Sequence, residues 1–205
     1  MFLDAGYEEL DTAYVYNEGN CEKLLGEVLP KLRSPYKIST KVNPRITGKL
    51  DGEAAYIQLN ESLKRLGVPV VDIFYLHFPD PATPVENVLE ACNNLYREGK
   101  FRELGLSNFP AWMVVDVWHI CHKNGWVLPT VFEGIYNPLT RKAETELNEC
   151  LNHFGIRFYA YNPMAGGLLT GRYGRYEYAP MDGRFTHRPN SVSYTHLTLP
   201  TILRV

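Results

Sequence analysis

Asp11, Tyr16, Lys41 and His77 are residue types that can together protonate a carbonyl oxygen. A free tyrosine has a pKa near ~10 and is a poor acid or base at neutral pH. An ammonium beside it stabilises the phenolate and lowers that pKa, and a carboxylate behind the ammonium keeps it charged and positioned. A histidine bonded to the same carbonyl oxygen would orient the substrate. No side chain can donate hydride, so this set implies a nicotinamide cofactor that delivers it to the carbonyl carbon. Taken singly, each residue has an ordinary explanation: Asp11 a turn former, Lys41 a surface cation, His77 a satisfied core histidine. Their meaning depends on which elements carry them.

Strand-like and helix-like segments alternate along the chain. "YEELDTA" precedes a helix around Asn20 to Leu29. "YKISTKV" precedes one from about Gly52 to Leu66, with Tyr56, Leu59, Leu63 and Leu66 on one face and Gly67 and Pro69 beyond its end. "VVDIFYLHF" is nearly all apolar, as a strand covered on both faces should be. Thr83-Pro84-Val85-Glu86 reads as a capping box with proline at the first helical position, and that helix stops at Gly99. "FRELGLSN", a helix from about Ala111 to Lys123, "PTVFEGIYN", a helix from about Arg141 to Phe154 and "IRFYAYNP" complete six strands with five full helices between them.

Each strand has a polar residue near its carboxyl end: Asp11, Lys41, His77, Asn108, Glu133 and Asn162, separated by 30, 36, 31, 25 and 29 residues. Steps of that size are βα units, and continuous βα alternation implies a parallel sheet. A doubly wound sheet should carry a glycine-rich fingerprint after its first strand, and none is there. A (β/α)₈ barrel gathers its chemistry at the carboxyl ends of many strands, as here. The expected fold is therefore an α/β (β/α)₈ barrel with six of its eight units present. A complete barrel usually takes ~250 residues, against 205 in this chain.

Composition narrows the function classes. The chain is 45% hydrophobic and 21% charged, as a soluble globular protein is, and 21 Lys and Arg stand against 23 Asp and Glu. No excess positive field points to nucleic acid or an anionic membrane, and no apolar run is long enough to span one. Cys21, Cys92, Cys121 and Cys150 are scattered without a CxxC pair, which favours reduced thiols and a cytoplasmic location. His119 and His122 lie three apart in "WHICHK", but with no fourth ligand near in sequence no metal site is expected.

Both ends are expected to be non-natural boundaries. "MFLDAGYEELDTA" reads as the last turn of a helix, closed by Gly6, running into a strand. "VSYTHLTLPT", Val192 to Thr201, is what GTC TCT TAT ACA CAT CTG ACG CTG CCG ACG encodes, the DNA of a transposase-type sequencing adapter. Residues 1–190 are accordingly expected to form a partial barrel domain, and residues 191–205 a non-native tail.

"DTAYVYNE", "STK", "FYLH", "GLSN" and "YNPMAGGLLTGR", in this order and at these spacings, resemble the aldo-keto reductases, most closely their aflatoxin-aldehyde reductase branch, from about Leu3 to Phe185. The resemblance implies NADPH-dependent reduction of aldehydes and some ketones, a small-molecule carbonyl as substrate, Tyr16 as proton donor, Lys41 and Asp11 as its tuning pair, and His77 as the orienting partner. Tyr14 is set aside because the family's tyrosine lies five positions past the aspartate. The cofactor contacts so implied are Ser107 and Asn108 on the nicotinamide carboxamide and Tyr161 stacked on the ring. Asn162, Pro163, Met164, Ala165, Gly166, Gly167, Leu168, Leu169, Thr170, Gly171 and Arg172 would wrap the pyrophosphate, and Arg184 would lie on the phosphate side. Glu133 stands where the family usually has Gln as a second carboxamide partner; an ionised carboxylate can accept from the amide NH₂ but cannot donate back. A second reading is a cofactor-binding regulatory subunit of a potassium channel. A third concerns the 205-residue chain alone: without the first and last barrel strands, and without the family's 2′-phosphate-gripping segment, it would be an inactive fragment with unpaired strand edges.

Overall fold

The computed structural model describes residues 3–32 and 35–171. Six strands, β1 (Glu9–Asp11), β2 (Lys37–Val42), β3 (Val71–Leu76), β4 (Phe101–Ser107), β5 (Pro129–Ile135) and β6 (Arg157–Tyr161), form one sheet in the order β1-β2-β3-β4-β5-β6. The pairs from β1 to β5 are all parallel. Sequential order without a reversal has no switch point, so the sheet is not doubly wound. It is the strand order of a (β/α)₈ barrel, with six strands among the described residues.

The helices are α1 (Asn20–Val28), α2 (Pro44–Thr47), α3 (Gly52–Leu66), α4 (Val85–Arg97), α5 (Ala111–Asn124) and α6 (Leu147–His153). The Asp51 carboxylate caps α3 by accepting from Ala54 N at 2.9 Å, and Gly67 ends it at φ 66°. The sequence signature at α4 resolves differently. Pro84 is the N-cap, extended at ψ 123°, and the helix starts at Val85. Thr83 lies one residue before the cap, its hydroxyl donates at 2.7 Å to Asp80, and no side chain caps the helix. The helix expected from Arg141 to Phe154 is also shorter: a 3₁₀ turn at Lys142–Glu144 precedes α6. The short α2 was not anticipated.

The described residues fall into two compact units, one up to Gly134 together with Lys142–Tyr159, the other Ile135–Arg141 and the residues from Ala160 on. In the larger unit the strand period of two sorts side chains onto two faces. Ile38, Val42, Phe74, Leu76, Leu104, Leu106 and Phe132 join the helix residues Leu59, Leu66, Leu89, Leu95 and Val114 in the main core. Ile73, Tyr75 and Val131 form a second, small cluster with Tyr159. Ser39 and Lys41 on β2 and Glu133 on β5 share the strand phase that alternates with the main-core residues. Glu22, fully buried on α1, ties the helix layer to the sheet by accepting from Thr40 Oγ1 and Arg65 Nε, both at 2.6 Å.

Tyr75 is 1% exposed and registers against Lys41 on β2 and Gly105 on β4. A Cβ at Gly105 would lie 2.3 Å from the Tyr75 ring. Gly105→Ala must therefore displace a ring over which the Lys41 ammonium stands at 5.3 Å. The expected cost is ~1–3 kcal/mol, read as a lower urea midpoint.

Candidate active site

Lys41 is the centre of the charge cluster. Its side chain is fully buried, and its Nζ lies 2.5 Å from each Asp11 carboxylate oxygen, 3.0 Å from the Thr12 carbonyl oxygen and 3.3 Å from Glu133 Oε2. The register explains the meeting: Asp11 pairs with Ser39 across β1 and β2, and Ser39 Oγ donates to Asp11 Oδ1 at 2.6 Å. Burial pulls the Lys41 pKa down, but Asp11 and Glu133 together push it above its ordinary value, so the ammonium stays charged.

Tyr16 stands in the loop after β1, its backbone N–H bonded to Ala13 O at 3.0 Å. Lys41 Nζ lies 5.0 Å from its ring centroid, and the His77 ring meets it edge-on at 6.0 Å. Lys41 acts on the Tyr16 pKa in the expected, lowering direction, but it does not prevail. Burial is the largest influence and raises it; Lys41 works against this, but Asp11 and Glu133 add to it, and the phenol sits above its ordinary value. At neutral pH the group is a protonated phenol with an ammonium beside it.

His77 follows β3, its N–H bonded to Val42 O at 2.9 Å. Burial, then Lys41, lowers its pKa to about 4. The ring is neutral at pH 7, and its tautomer is set by Asn43, a residue that sequence reasoning did not single out. Asn43 Oδ1 accepts from Arg45 N at 2.9 Å as the cap of α2, which turns Nδ2 toward His77 Nδ1 at 3.3 Å. With Nδ1 accepting, the ring proton resides on Nε2. The signal was present in the sequence as Asn-Pro, an N-cap with proline at the first helical position.

The depressed His77 value has a stability consequence of definite sign. Between pH 6.5 and 4 the unfolded chain binds the proton that folded His77 refuses, so the contribution is complete above about 6.5 and lost as pH falls toward about 4. Urea midpoints should fall over that window in the native protein, and less in His77→Gln, which cannot take up the proton.

Ser107 and Asn108 end β4. Asn108 adopts φ 62°, and its Nδ2 donates to Ser107 Oγ at 2.9 Å and to His77 O at 3.0 Å. The larger unit thus brings together Asp11, Tyr16, Lys41, His77 and Glu133, with Ser107 and Asn108 tied to the His77 backbone.

The smaller unit holds Tyr161 and the run from Asn162 to Gly171. Asn162, at φ 59°, accepts from Gly166 N at 2.6 Å through its Oδ1, and its carbonyl accepts from Asn137 Nδ2 at 3.1 Å. Ala165, Gly166 and Gly167 follow at φ 49°, 69° and 105°. Pro163 and Met164 lead into this turn, and Leu168, Leu169 and Thr170 continue it as a 3₁₀ helix closed by Gly171 at φ 75°. The turn is closed from within: Ala165 N donates to Asn162 O at 3.0 Å, and Gly167 N and Leu169 N donate to Met164 O at 2.9 and 3.3 Å. Arg172 and Arg184, and the boundary expected near residue 190, lie outside the described residues.

His119 and His122 flank Trp118 on α5, His122 stacked on it at 4.8 Å. Among the described residues no helix is long and apolar enough to cross a membrane, and the four cysteines are free.

Parallel βα units in sequential order, the strand order of a (β/α)₈ barrel, carry Asp11, Tyr16, Lys41 and His77 at or just past the carboxyl ends of three strands. The profile described as "Aldo/keto reductase family" matches residues 1–202, and the chain belongs to that family. It is 54% identical over 179 residues to "Aldo-keto reductase family 7 member A3" of Homo sapiens, covering 86% of this chain and 54% of that protein. It is 52% identical over 186 residues to "Aflatoxin B1 aldehyde reductase member 4" of Homo sapiens, covering 89% and 55%. "Aflatoxin B1 aldehyde reductase member 2" of Mus musculus matches at 52% over 186 residues, covering 89% and 50%. The chain spans about half the length of these curated relatives.

Proposed function

We propose that the protein is an NADPH-dependent reductase of aldehydes and some ketones, with Tyr16 as the proton donor. The observation that carries the reading is the protonated Tyr16 phenol beside a fully buried, charged Lys41 and edge-on to a neutral His77. A substrate carbonyl oxygen would accept from the Tyr16 hydroxyl and from His77 Nε2–H. As the oxygen takes the Tyr16 proton, the nascent phenolate gains its stabilisation from Lys41, and Asp11 keeps that ammonium in place. The relatives' printed names, reductases of an aldehyde among them, support the same class.

In the larger unit the donor set fits the carboxamide of a nicotinamide nucleotide. Ser107 and Asn108 bring hydroxyl and amide groups to one strand end, suited to a carboxamide, and Glu133 adds an acceptor. In the smaller unit, Tyr161 and the Asn162–Gly171 turn are proposed for the nicotinamide ring and the pyrophosphate on the family resemblance, as are Arg172 and Arg184, which lie outside the described residues. When bound, NADPH supplies the hydride; every proton movement belongs to the protein's own side chains. Free thiols and the absence of a spanning helix among the described residues support a cytoplasmic location. Residues 1–190 would form the barrel domain.

The test is isotopic: the protein is incubated with NADPH deuterated at nicotinamide C4 and an aromatic aldehyde. Deuterium at the alcohol carbon supports the reading. Cofactor binding with no labelled alcohol would sink it and favour a binding role without turnover.

A further inference from the structure

We infer that Glu133 is a positioning residue that competes with Tyr16 for the Lys41 ammonium, so that its ionisation holds back the proton donor. This deepens the reductase reading and rests on it.

A lysine ammonium has three N–H bonds and no more. Around Lys41 Nζ stand the two Asp11 oxygens at 2.5 Å, the Thr12 carbonyl at 3.0 Å and Glu133 Oε2 at 3.3 Å. Asp11 and the Thr12 carbonyl occupy two of the three directions. The third is contested between the Glu133 carboxylate and the Tyr16 phenol, whose ring centroid is 5.0 Å away. A glutamine here would offer a neutral carbonyl to the ammonium; a glutamate offers a charge, a stronger rival for one N–H.

The groups facing this cluster come from each packed element. β1 and its loop contribute Asp11 and Tyr16. β3 contributes Tyr75, under the ammonium at 5.3 Å, and His77 beyond its end. On β6, Tyr159 donates to Glu9 at 3.1 Å. Arg45 lies 4.9 Å from the Phe78 ring and adds to the lowering of the His77 pKa. Lys41 is thus the only cation in direct contact with Asp11 or Glu133 among the ion pairs of the described residues, and two carboxylates divide one ammonium. Burial and the nearby Asp11 raise the Glu133 pKa, against Lys41. Its proton is therefore retained to higher pH than an ordinary glutamate's. With Glu133 neutral, the cluster carries the charge of a Gln site; with Glu133 ionised, it carries one more negative charge, which opposes a phenolate on Tyr16.

The experiment compares the native protein with Glu133→Gln, an isosteric change, and Glu133→Asp. Reduction is followed as kcat against pH, NADPH affinity by tryptophan fluorescence, and Tyr16 ionisation by ¹³Cζ-tyrosine NMR, assigned with Tyr16→Phe. The expected ratio of native to Glu133→Gln kcat is near one at acid pH and falls about tenfold once Glu133 ionises, the yield of roughly one unit of charge interaction. The Tyr16 resonance should titrate at lower pH in Glu133→Gln than in the native protein, and Glu133→Asp should resemble the native protein in its pH profile. A pH-independent kcat ratio with an unmoved Tyr16 resonance overturns the inference. So does an effect confined to NADPH affinity, which would make Glu133 a carboxamide contact only. If no form turns over, the reductase reading fails, and the NMR comparison still decides whether Glu133 competes for Lys41.

Discussion

Tyr16→Phe should lower kcat for aldehyde reduction by ~10²–10⁴-fold, the worth of a positioned general acid, while leaving NADPH affinity within a factor of about two or three. The phenyl ring keeps its place against Lys41 at 5.0 Å and against His77 at 6.0 Å, so only the hydroxyl is lost. Because the proton is transferred only in the transition state, kcat and kcat/KM should fall together. Steady-state kinetics with an aromatic aldehyde at saturating NADPH measures this. A loss appearing in KM alone would make Tyr16 a binding residue. The raised pKa of Tyr16 does not weaken its candidacy as an acid. It keeps the phenol protonated across the neutral range, and Lys41 supplies the charge that makes release of the proton possible during the reaction.

Lys41→Met should be damaging twice over. The fully buried ammonium neutralises two carboxylates, and without it Glu133, 11% exposed at its side chain, faces Asp11 with no cation in contact. Breaking a buried ion pair by removing one partner costs ~3–5 kcal/mol. Asp11, 43% exposed, is partly screened by water, so about 3 kcal/mol is expected. Urea unfolding measures it, and the loss should shrink at low pH, where the carboxylates take up protons. Activity should fall at least as far as in Tyr16→Phe, because a phenolate formed without the ammonium has no stabilising charge. A Lys41→Met protein as stable and active as the native one would remove Lys41 from the account altogether.

Much of this arrangement is legible in the sequence. The polar residues closing each strand, at steps of 25 to 36 residues, located Asp11, Lys41, His77, Asn108, Glu133 and Asn162 on successive strand ends. The parallel sheet then brought the first three together with Glu133. Legibility failed where side-chain contacts rather than periodicity decide. Whether a capping signature is used depends on where the helix starts, and it starts at Val85, one residue too late for Thr83 to be its cap. The interruption before α6 follows Ala143, buried within a 3₁₀ turn that tertiary packing imposes on a helix-like stretch. Asn43 was not singled out, and its contact with His77 appears only once β2 and β3 lie side by side. The direction of the Tyr16 pKa was missed for a different reason. Sequence names its charged neighbours, but the depth of burial that outweighs Lys41 exists only in the folded chain.

The central claim is that this cluster is a nicotinamide-dependent carbonyl-reducing site whose acid is Tyr16. The measurement that tests it most directly is NADPH titration of the native protein and of Tyr16→Phe by tryptophan fluorescence, followed by addition of an aromatic aldehyde to both saturated samples. Saturable quenching in both, with NADPH consumed at the native rate only where the Tyr16 hydroxyl is present, is the predicted result. Equal consumption by both proteins, or no binding by a folded native protein, would contradict it.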